Sequence, residues 1–231
     1  LSRLYHAAVE HDVEISGGRY LEVHEDGQKK DMKYAYKDIQ LKLAGITDYK
    51  DFQFDYGYCA YIFKTEMIRQ ANLFFPTYSR FQDPPFFVQA MISAKRFFAL
   101  DEPTYCYRMV PSAKKISFTK TLDMLKGLMD NLKLSRQHEL SRLHYISANR
   151  LNEEGSYMAI HNLQNARKNE LLALLVKASA LVDTQWLKKE GYPLPEPFVL
   201  DVFTYAAETA GKYEKIRNNR IVRCLMRIFK R

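Results

Sequence analysis

Apolar and polar residues alternate in short blocks over the first 118 residues, and turn-forming residues separate the blocks. Helices are predicted where apolar side chains recur at helical spacing, over residues 1–12, 34–43, 65–71 and 84–97. Strands are predicted over residues 13–15, 20–23, 54–63 and 98–109, with Ser16, Gly17 and Gly18 breaking the first two apart. Helices interleaved with strands in this way predict an α/β fold.

After residue 118 the pattern changes to leucine and methionine at helical spacing. This pattern predicts two or three helices over residues 119–182, a proline-punctuated connector over 191–197 and a helical tail from residue 198. The chain is therefore predicted to divide into an α/β part over residues 1–118 and an all-helical extension over residues 119–231.

Composition narrows the class of protein. Apolar residues make up 47% of the 231-residue chain, which suffices for a hydrophobic core, and no run of 18 apolar residues predicts a transmembrane helix. Cys59, Cys106 and Cys224 lack the spacing of a zinc site or a disulfide framework, so small buried side chains in a reducing compartment are the favoured interpretation. The histidine spacing does not predict a metal site either.

The net charge of +8 is concentrated at the C-terminal end. Residues 212–231 contain eight Lys and Arg and one Glu, a net +7, so the rest of the chain carries only +1. As a helix, residues 216–231 would have arginines on one face and apolar side chains on the other, which is typical of an interfacial membrane anchor. Packing of the apolar face on the domain explains the pattern equally well. A nucleic-acid role is disfavoured because the remaining chain has no basic groove.

The strongest chemical signal is Asp83, which stands directly before two prolines at the start of an apolar predicted helix. Proline disfavours the α region in the residue before it, so the helix is predicted to begin at Pro84 with Asp83 as its N-cap. Pro84 and Pro85 have no amide hydrogen, which leaves the amides of Phe86 and Phe87 to bind one carboxylate oxygen. The other oxygen would point in a fixed direction, as a general base requires, although capping alone also explains an aspartate here.

The predicted helix is followed by a strand that ends in the pair Tyr107 and Arg108, and then by a loop rich in Ser and Lys. Together with Gln82 and Asp83, this order resembles the second half of a family 2 glycosyltransferase of the GT-A type, over roughly residues 1–118. The resemblance implies the second half of a GT-A-like sheet-and-helix domain followed by an all-helical extension. It also implies inverting transfer of a sugar from a nucleotide-sugar donor to a hydroxyl of a bacterial surface polysaccharide or lipid-linked glycan.

The resemblance assigns roles to several residues. Asp83 would be the catalytic base that takes the proton from the acceptor hydroxyl. Gln82 stands where the family usually has Glu, so it would contact substrate without a charge. Arg108, Lys114 and Lys115 would contact the diphosphate, whose negative charge grows in the transition state. A solvated loop is the competing interpretation of the lysine pair.

Residues 54–63 resemble the acceptor-side segment of the same family. Gly57 would permit close approach of a sugar to the backbone. Tyr56 and Tyr58 would stack on a pyranose ring or bind its hydroxyls, and Asp55 is the only charge in the run. An aromatic core strand is the equally weighted alternative.

Enzymes of this type bind Mg or Mn through an Asp-x-Asp motif, which this sequence lacks, so the metal ligands are not expected in this chain. We therefore expect the later part of a longer enzyme, inactive and without nucleotide-sugar affinity by itself. It would lie in the cytoplasm, on the inner face of the membrane if residues 216–231 anchor it. The alternative, favoured by Gln82 and the missing motif, is a non-catalytic, membrane-apposed assembly module on a degenerate transferase scaffold.

Overall fold

A computed structural model describes residues 1–31, 44–109 and 116–193 of the chain. Several sequence predictions lie outside these residues: the helix over residues 34–43, the contacts of Lys114 and Lys115, the connector beyond residue 193, and the helical tail from residue 198 with its basic helix over residues 216–231.

The α/β part is a mixed sheet with helices packed on it. Its strands are β1 (Ile15–Val23), β2 (Lys29–Asp31), β3 (Gly45–Asp48), β4 (Tyr61–Phe63) and β5 (Arg96–Arg108). Its described helices are α1 (Ser2–Glu10), α2 (Tyr49–Phe52), α3 (Thr65–Gln70) and α4 (Asp83–Ala94). The predicted α/β class is confirmed, and the predicted helices at the positions of α1, α3 and α4 are observed.

The centre of the sheet is the parallel pair β1 and β5. In the described part, β2 and β4 pair antiparallel with β1, and β3 pairs antiparallel with β5, giving five strands. Since β1 and β5 run in the same direction, their C-terminal ends meet at one edge of the sheet, where Val23 lies opposite Arg108.

The prediction that the glycines interrupt the first strand is wrong, because β1 runs through Gly17 and Gly18 without a break. A Cβ atom at Gly17 would collide with the ring of Tyr61, and one at Gly18 with the carbonyl oxygen of Glu102. The glycines therefore let neighbouring chain segments approach the strand closely, instead of ending it.

The prediction of a strand over residues 54–63 is also largely wrong. Only β4 is extended, and it is preceded by a 3₁₀ turn (Tyr58–Ala60). Gly57 has φ +94°, a left-handed conformation that glycine adopts readily, and it stands directly before this turn. The aromatic residues of this segment therefore lie on an irregular loop.

The helical part contains more elements than the sequence predicts. Its helices are α5 (Phe118–Gln137), α6 (Ser141–Arg150), α7 (Ser156–Ile160), α8 (Lys168–Ala180) and α9 (Thr184–Lys189). A π-helical turn (Leu151–Gly155) joins α6 to α7. Among the described residues, no helix combines the length and the apolar character needed to cross a bilayer.

Two hydrophobic cores join the parts. The first lies under the sheet and is rich in rings, yet it also contains Leu140, Leu143 and Ile146 from the start of α6 and the residue before it. The second lies among the helices and is rich in leucine, yet it contains Phe81 from the α/β part. The helical part is thus packed into the α/β part, although the predicted boundary at residue 118 stays a prediction.

Candidate functional site

Asp83 lies one position away from its predicted place in the helix. It is the first residue of α4, and Gln82 is the N-cap, with φ −77° and ψ −30° and no side-chain capping bond. The helix starts early because Phe81 has φ +67°, a strained conformation for a bulky residue that turns the chain into α4. The ring of Phe81 is held in the second core against Gly127, which compensates for this strain.

The Asp83 carboxyl is half-buried and stays accessible from outside. Burial raises its pKa, a hydrogen bond with its own backbone amide opposes that rise, and the nearby carboxylate of Asp55 raises the pKa further. Arg150 and Arg80 lower the pKa by smaller amounts, and the net result is a raised pKa. A partly desolvated carboxyl with a raised pKa is what general-base chemistry requires.

Tyr56 and Tyr58 lie in the same neighbourhood. Burial raises the pKa of the Tyr56 hydroxyl, Arg150 lowers it, and the charges of Glu154 and Asp83 raise it. A hydrogen bond with Cys59 and burial raise the pKa of Tyr58 to about 12, and the charge of Asp83 contributes to that rise. Both tyrosines therefore lie within electrostatic range of the candidate base.

Asp55 does not point outward as an acceptor contact would. It is 1% exposed, and its Oδ2 atom binds Nη1 of Arg150 at 2.9 Å and Nδ2 of Asn131 at 2.8 Å. The guanidinium of Arg150 lies over the ring of Tyr56, 5.1 Å from its centroid, and over the ring of Phe81, at 5.2 Å. We call these five residues the Arg150 cluster.

Sequence reasoning missed Arg150 and Asn131, which come from the helical part. The available signal was Asp55 itself, because a single charge in an aromatic run must find a partner if it is buried. The sequence does not indicate which of the many basic residues supplies that partner.

An aromatic surface adjoins the base. The ring of Phe75 stacks on Phe86 at 4.0 Å, and Tyr58 meets Phe75 edge-on at 5.6 Å. Phe74 is 73% exposed and Phe75 is 43% exposed. Phe86 is buried and lies one turn along α4 from Asp83, so these rings pack against the helix that carries the candidate base.

The predicted site residues are only partly brought together. Gln82, Tyr56, Gly57 and Tyr58 lie around Asp83, and Gln82 is half-buried as its immediate neighbour. Arg108 lies at the exposed end of β5, and no contact in the described part joins it to Asp83.

An open groove of about 500 Å³ lies elsewhere, between α1 and the β3–β5 side of the sheet. Its polar lining mixes basic and acidic residues, namely Arg3, His6, Glu10, His11, Asp101 and Glu102. None of the predicted site residues lines this groove, so it is not the place where the chemistry of Asp83 would occur.

The resemblance implies a divalent metal whose ligands are expected outside this chain. Across residues 1–31, 44–109 and 116–193, no three His, Cys, Asp or Glu side chains lie close enough to hold a metal ion. Asp55 is in addition already bound to Arg150.

Comparison with known proteins found no match. No known protein family matches this sequence, and no curated protein matches it.

Proposed function

We propose that the chain is the acceptor-side part of an inverting glycosyltransferase, in which Asp83 is the general base. The observation that supports this most is the half-buried Asp83 carboxyl with its raised pKa, next to the tyrosines of the segment that carries Tyr56 and Tyr58. The donor would be a nucleotide sugar, and the acceptor a hydroxyl of a surface polysaccharide or lipid-linked glycan.

In this proposal the acceptor hydroxyl gives its proton to Asp83 as its oxygen attacks the anomeric carbon of the donor sugar. The new bond forms between that oxygen and the anomeric carbon, while the bond from the anomeric carbon to the diphosphate oxygen breaks, so configuration is inverted. Burial of Asp83 makes the carboxylate a stronger base than an exposed one. A divalent cation, when bound, would neutralise the diphosphate leaving group.

The aromatic residues would recognise the acceptor. Tyr56 and Phe75 expose 41% and 43% of their surfaces, which provides ring faces for a pyranose to stack on. Gln82 would bind sugar hydroxyls beside the base. Arg108, Lys114 and Lys115 remain the candidates for contact with the diphosphate.

The test is turnover by the protein encoded by the whole gene, with a panel of nucleotide sugars and lipid-linked glycans from the source organism. Nucleoside diphosphate release and product mass are measured. Asp83→Asn should lower turnover about 100-fold or more while donor binding changes little. Asp51→Asn is the matched control, because it removes an exposed first-turn carboxylate of α2. If Asp83→Asn keeps full turnover, Asp83 is not the base.

The second candidate is a non-catalytic, membrane-apposed assembly module, which the amide of Gln82 favours. It predicts no turnover with any donor, together with sedimentation of the chain on anionic liposomes that is lost without residues 216–231. Turnover by the intact gene product would exclude it.

A further inference from the structure

Arg150 connects the helical part to the candidate site. It is the last residue of α6, it is 3% exposed, and it lies 95 positions along the chain from its partner Asp55. A buried arginine is rare in proteins unless its charge is paired. Here the buried partner, Asp55, lies in the predicted acceptor segment over residues 54–63, outside the helical part.

Arg150 contacts two aromatic rings in addition to its charged partner. Its Nη1 atom binds the fully buried Asp55 carboxylate, which holds the chain directly before Tyr56. The Arg150 guanidinium also packs on the rings of Tyr56 and Phe81. Phe81 lies two residues before Asp83. One side chain thus contacts both segments that carry the candidate acceptor tyrosine and the candidate base.

The chain changes its helical geometry directly after Arg150. The π-helical turn (Leu151–Gly155) begins at the next residue, and such turns occur often at functional sites. It places Glu154 Oε1 3.7 Å from Arg150 Nε, and Glu154 Oε2 4.0 Å from Nη2 of Arg80. An alternating row of charges therefore leads from buried Asp55 through Arg150 and Glu154 to Arg80 at the surface.

We propose that Arg150 is a positioning residue of the acceptor site, through which the helical part holds Tyr56 and Asp83 in their relative places. This inference rests on the function proposed above. It assigns the helical part a role in catalysis, because removal of one guanidinium from α6 would release both segments of the site.

The charges of the Arg150 cluster predict pKa changes at the candidate site that a purely stabilising role of Arg150 would not produce. The positive charge of Arg150 lowers the pKa of both Asp83 and Tyr56, while the negative charge of Asp55 raises both. Arg150→Gln should therefore raise both pKa values, and Asp55→Asn should lower both. The acid limb of kcat/KM, which follows the ionisation of the base, should move to higher pH in the first variant and to lower pH in the second.

The experiment measures acceptor KM, kcat and the pH profile for wild type, Arg150→Gln, Arg150→Lys and Asp55→Asn. For Arg150→Gln, acceptor KM should rise about 10- to 100-fold while donor KM stays near wild type. Arg150→Lys should recover part of this loss, since it keeps the charge without the planar fork. In each folded variant, a ¹³C titration of the Asp83 and Tyr56 side chains gives the pKa values without requiring turnover.

Arg136→Gln is the matched control. Arg136 also makes an ion pair, with Asp183 at 3.3 Å, and also packs on a ring, that of Trp186 at 4.5 Å, and among the described residues these contacts involve neither Asp83 nor Tyr56. It should leave acceptor KM and both titrations unchanged.

The outcomes separate the two proposals. If Asp83→Asn is as active as wild type, the proposed function fails, and the titrations still report on Arg150. The second case is that Asp83→Asn is inactive. If Arg150→Gln and Asp55→Asn then fold and keep the acceptor KM and the Asp83 titration of wild type, the positioning role is overturned. Should Arg150→Gln not fold, Tyr56→Leu takes its place: an unchanged acceptor KM in that variant, together with unshifted titration in Asp55→Asn, overturns the inference equally.

Discussion

Two buried polar clusters hold α6 in place, and they use opposite chemistry. In the Arg150 cluster, at the C-terminal end of α6, the bond between Arg150 and Asp55 joins two charges. In the second, which we call the His144 cluster, His144 Nδ1 lies 2.8 Å from the Ser135 hydroxyl, and His144 Nε2 accepts the amide hydrogen of Asp183 at 2.9 Å. Burial lowers the pKa of His144 to about 4, with Arg136 adding to the effect, so the imidazole is neutral at pH 7.

The clusters differ in whether a charge is buried. A neutral imidazole that accepts and donates hydrogen bonds joins α5, α6 and the start of α9 without burying a charge. A buried ion pair carries a large desolvation cost, and an apolar pair of similar shape would often be as stable. The charges of the Arg150 cluster act on Asp83, whereas the hydrogen bonds of His144 in the described part reach Ser135 and Asp183 instead of Asp83. This placement is expected if charge is retained for function.

The largest change in the free energy of unfolding is expected when the ion pair of the Arg150 cluster is broken. Arg150→Met should lower the free energy of unfolding by about 3–5 kcal/mol, because the carboxylate of Asp55 is then buried without its cation. The double variant Asp55→Asn/Arg150→Met should recover most of that loss, since neither charge remains. Urea denaturation at pH 7 measures both. A double variant as unstable as the single one would show that packing, not charge pairing, accounts for the loss.

The second-largest effect is expected from acid, which should weaken the His144 cluster. The pKa of His144 is about 4 in the folded protein and near 6.5 when unfolded, so the unfolded chain binds the proton first. The stability that neutral His144 contributes is therefore fully present above pH 6.5 and is lost as the pH falls. The loss reaches about 3 kcal/mol near pH 4.

Urea denaturation from pH 7 to pH 4.5 tests this pH dependence, with His144→Gln as the comparison. Glutamine does not titrate, so this variant should be less stable at pH 7 but should lose less stability over the same pH range. Parallel pH dependences in the two proteins would contradict the role of His144.

A smaller effect is expected from Arg136, a partly exposed arginine that pairs with Asp183 beside the His144 cluster. Arg136 makes the same two kinds of contact as Arg150, but 48% of its side chain is exposed to solvent. Arg136→Gln should therefore lower the free energy of unfolding by less than about 1 kcal/mol. The same urea titration compares it directly with Arg150→Met. A similar loss in both variants would mean that burial does not distinguish the two arginines.

The smallest expected change in stability is at the candidate base. Since the folded pKa of Asp83 is raised, the folded state binds the proton more tightly, and stability falls as pH rises through that range. Asp83→Asn should therefore leave stability at pH 7 within about 0.5 kcal/mol of wild type, or raise it slightly, and reduce its pH dependence. A large loss of stability would indicate that Asp83 has a structural role.

Local signals predicted much of the fold. Apolar spacing placed α1, α3 and α4 to within a few residues, and the turn to helical sequence near residue 118 coincides with the start of α5. The errors at Gly17 and Gly57 have one cause, which is that glycine allows both a break in a strand and close packing against it. Only the position of the Tyr61 ring distinguishes these two outcomes at Gly17.

The sequence by itself determined the α/β class, the proline-started helix that carries Asp83, and the aromatic segment with Tyr56 and Tyr58. These features depend on residues close together in the chain, where propensity and periodicity act. Only the tertiary structure decided that Asp55 is buried, that Arg150 pairs with it, and that Gln82, not Asp83, occupies the N-cap position of α4. The physical reason is that a buried charge requires a partner but does not specify where along the chain that partner lies, and packing of α6 against the sheet supplies it.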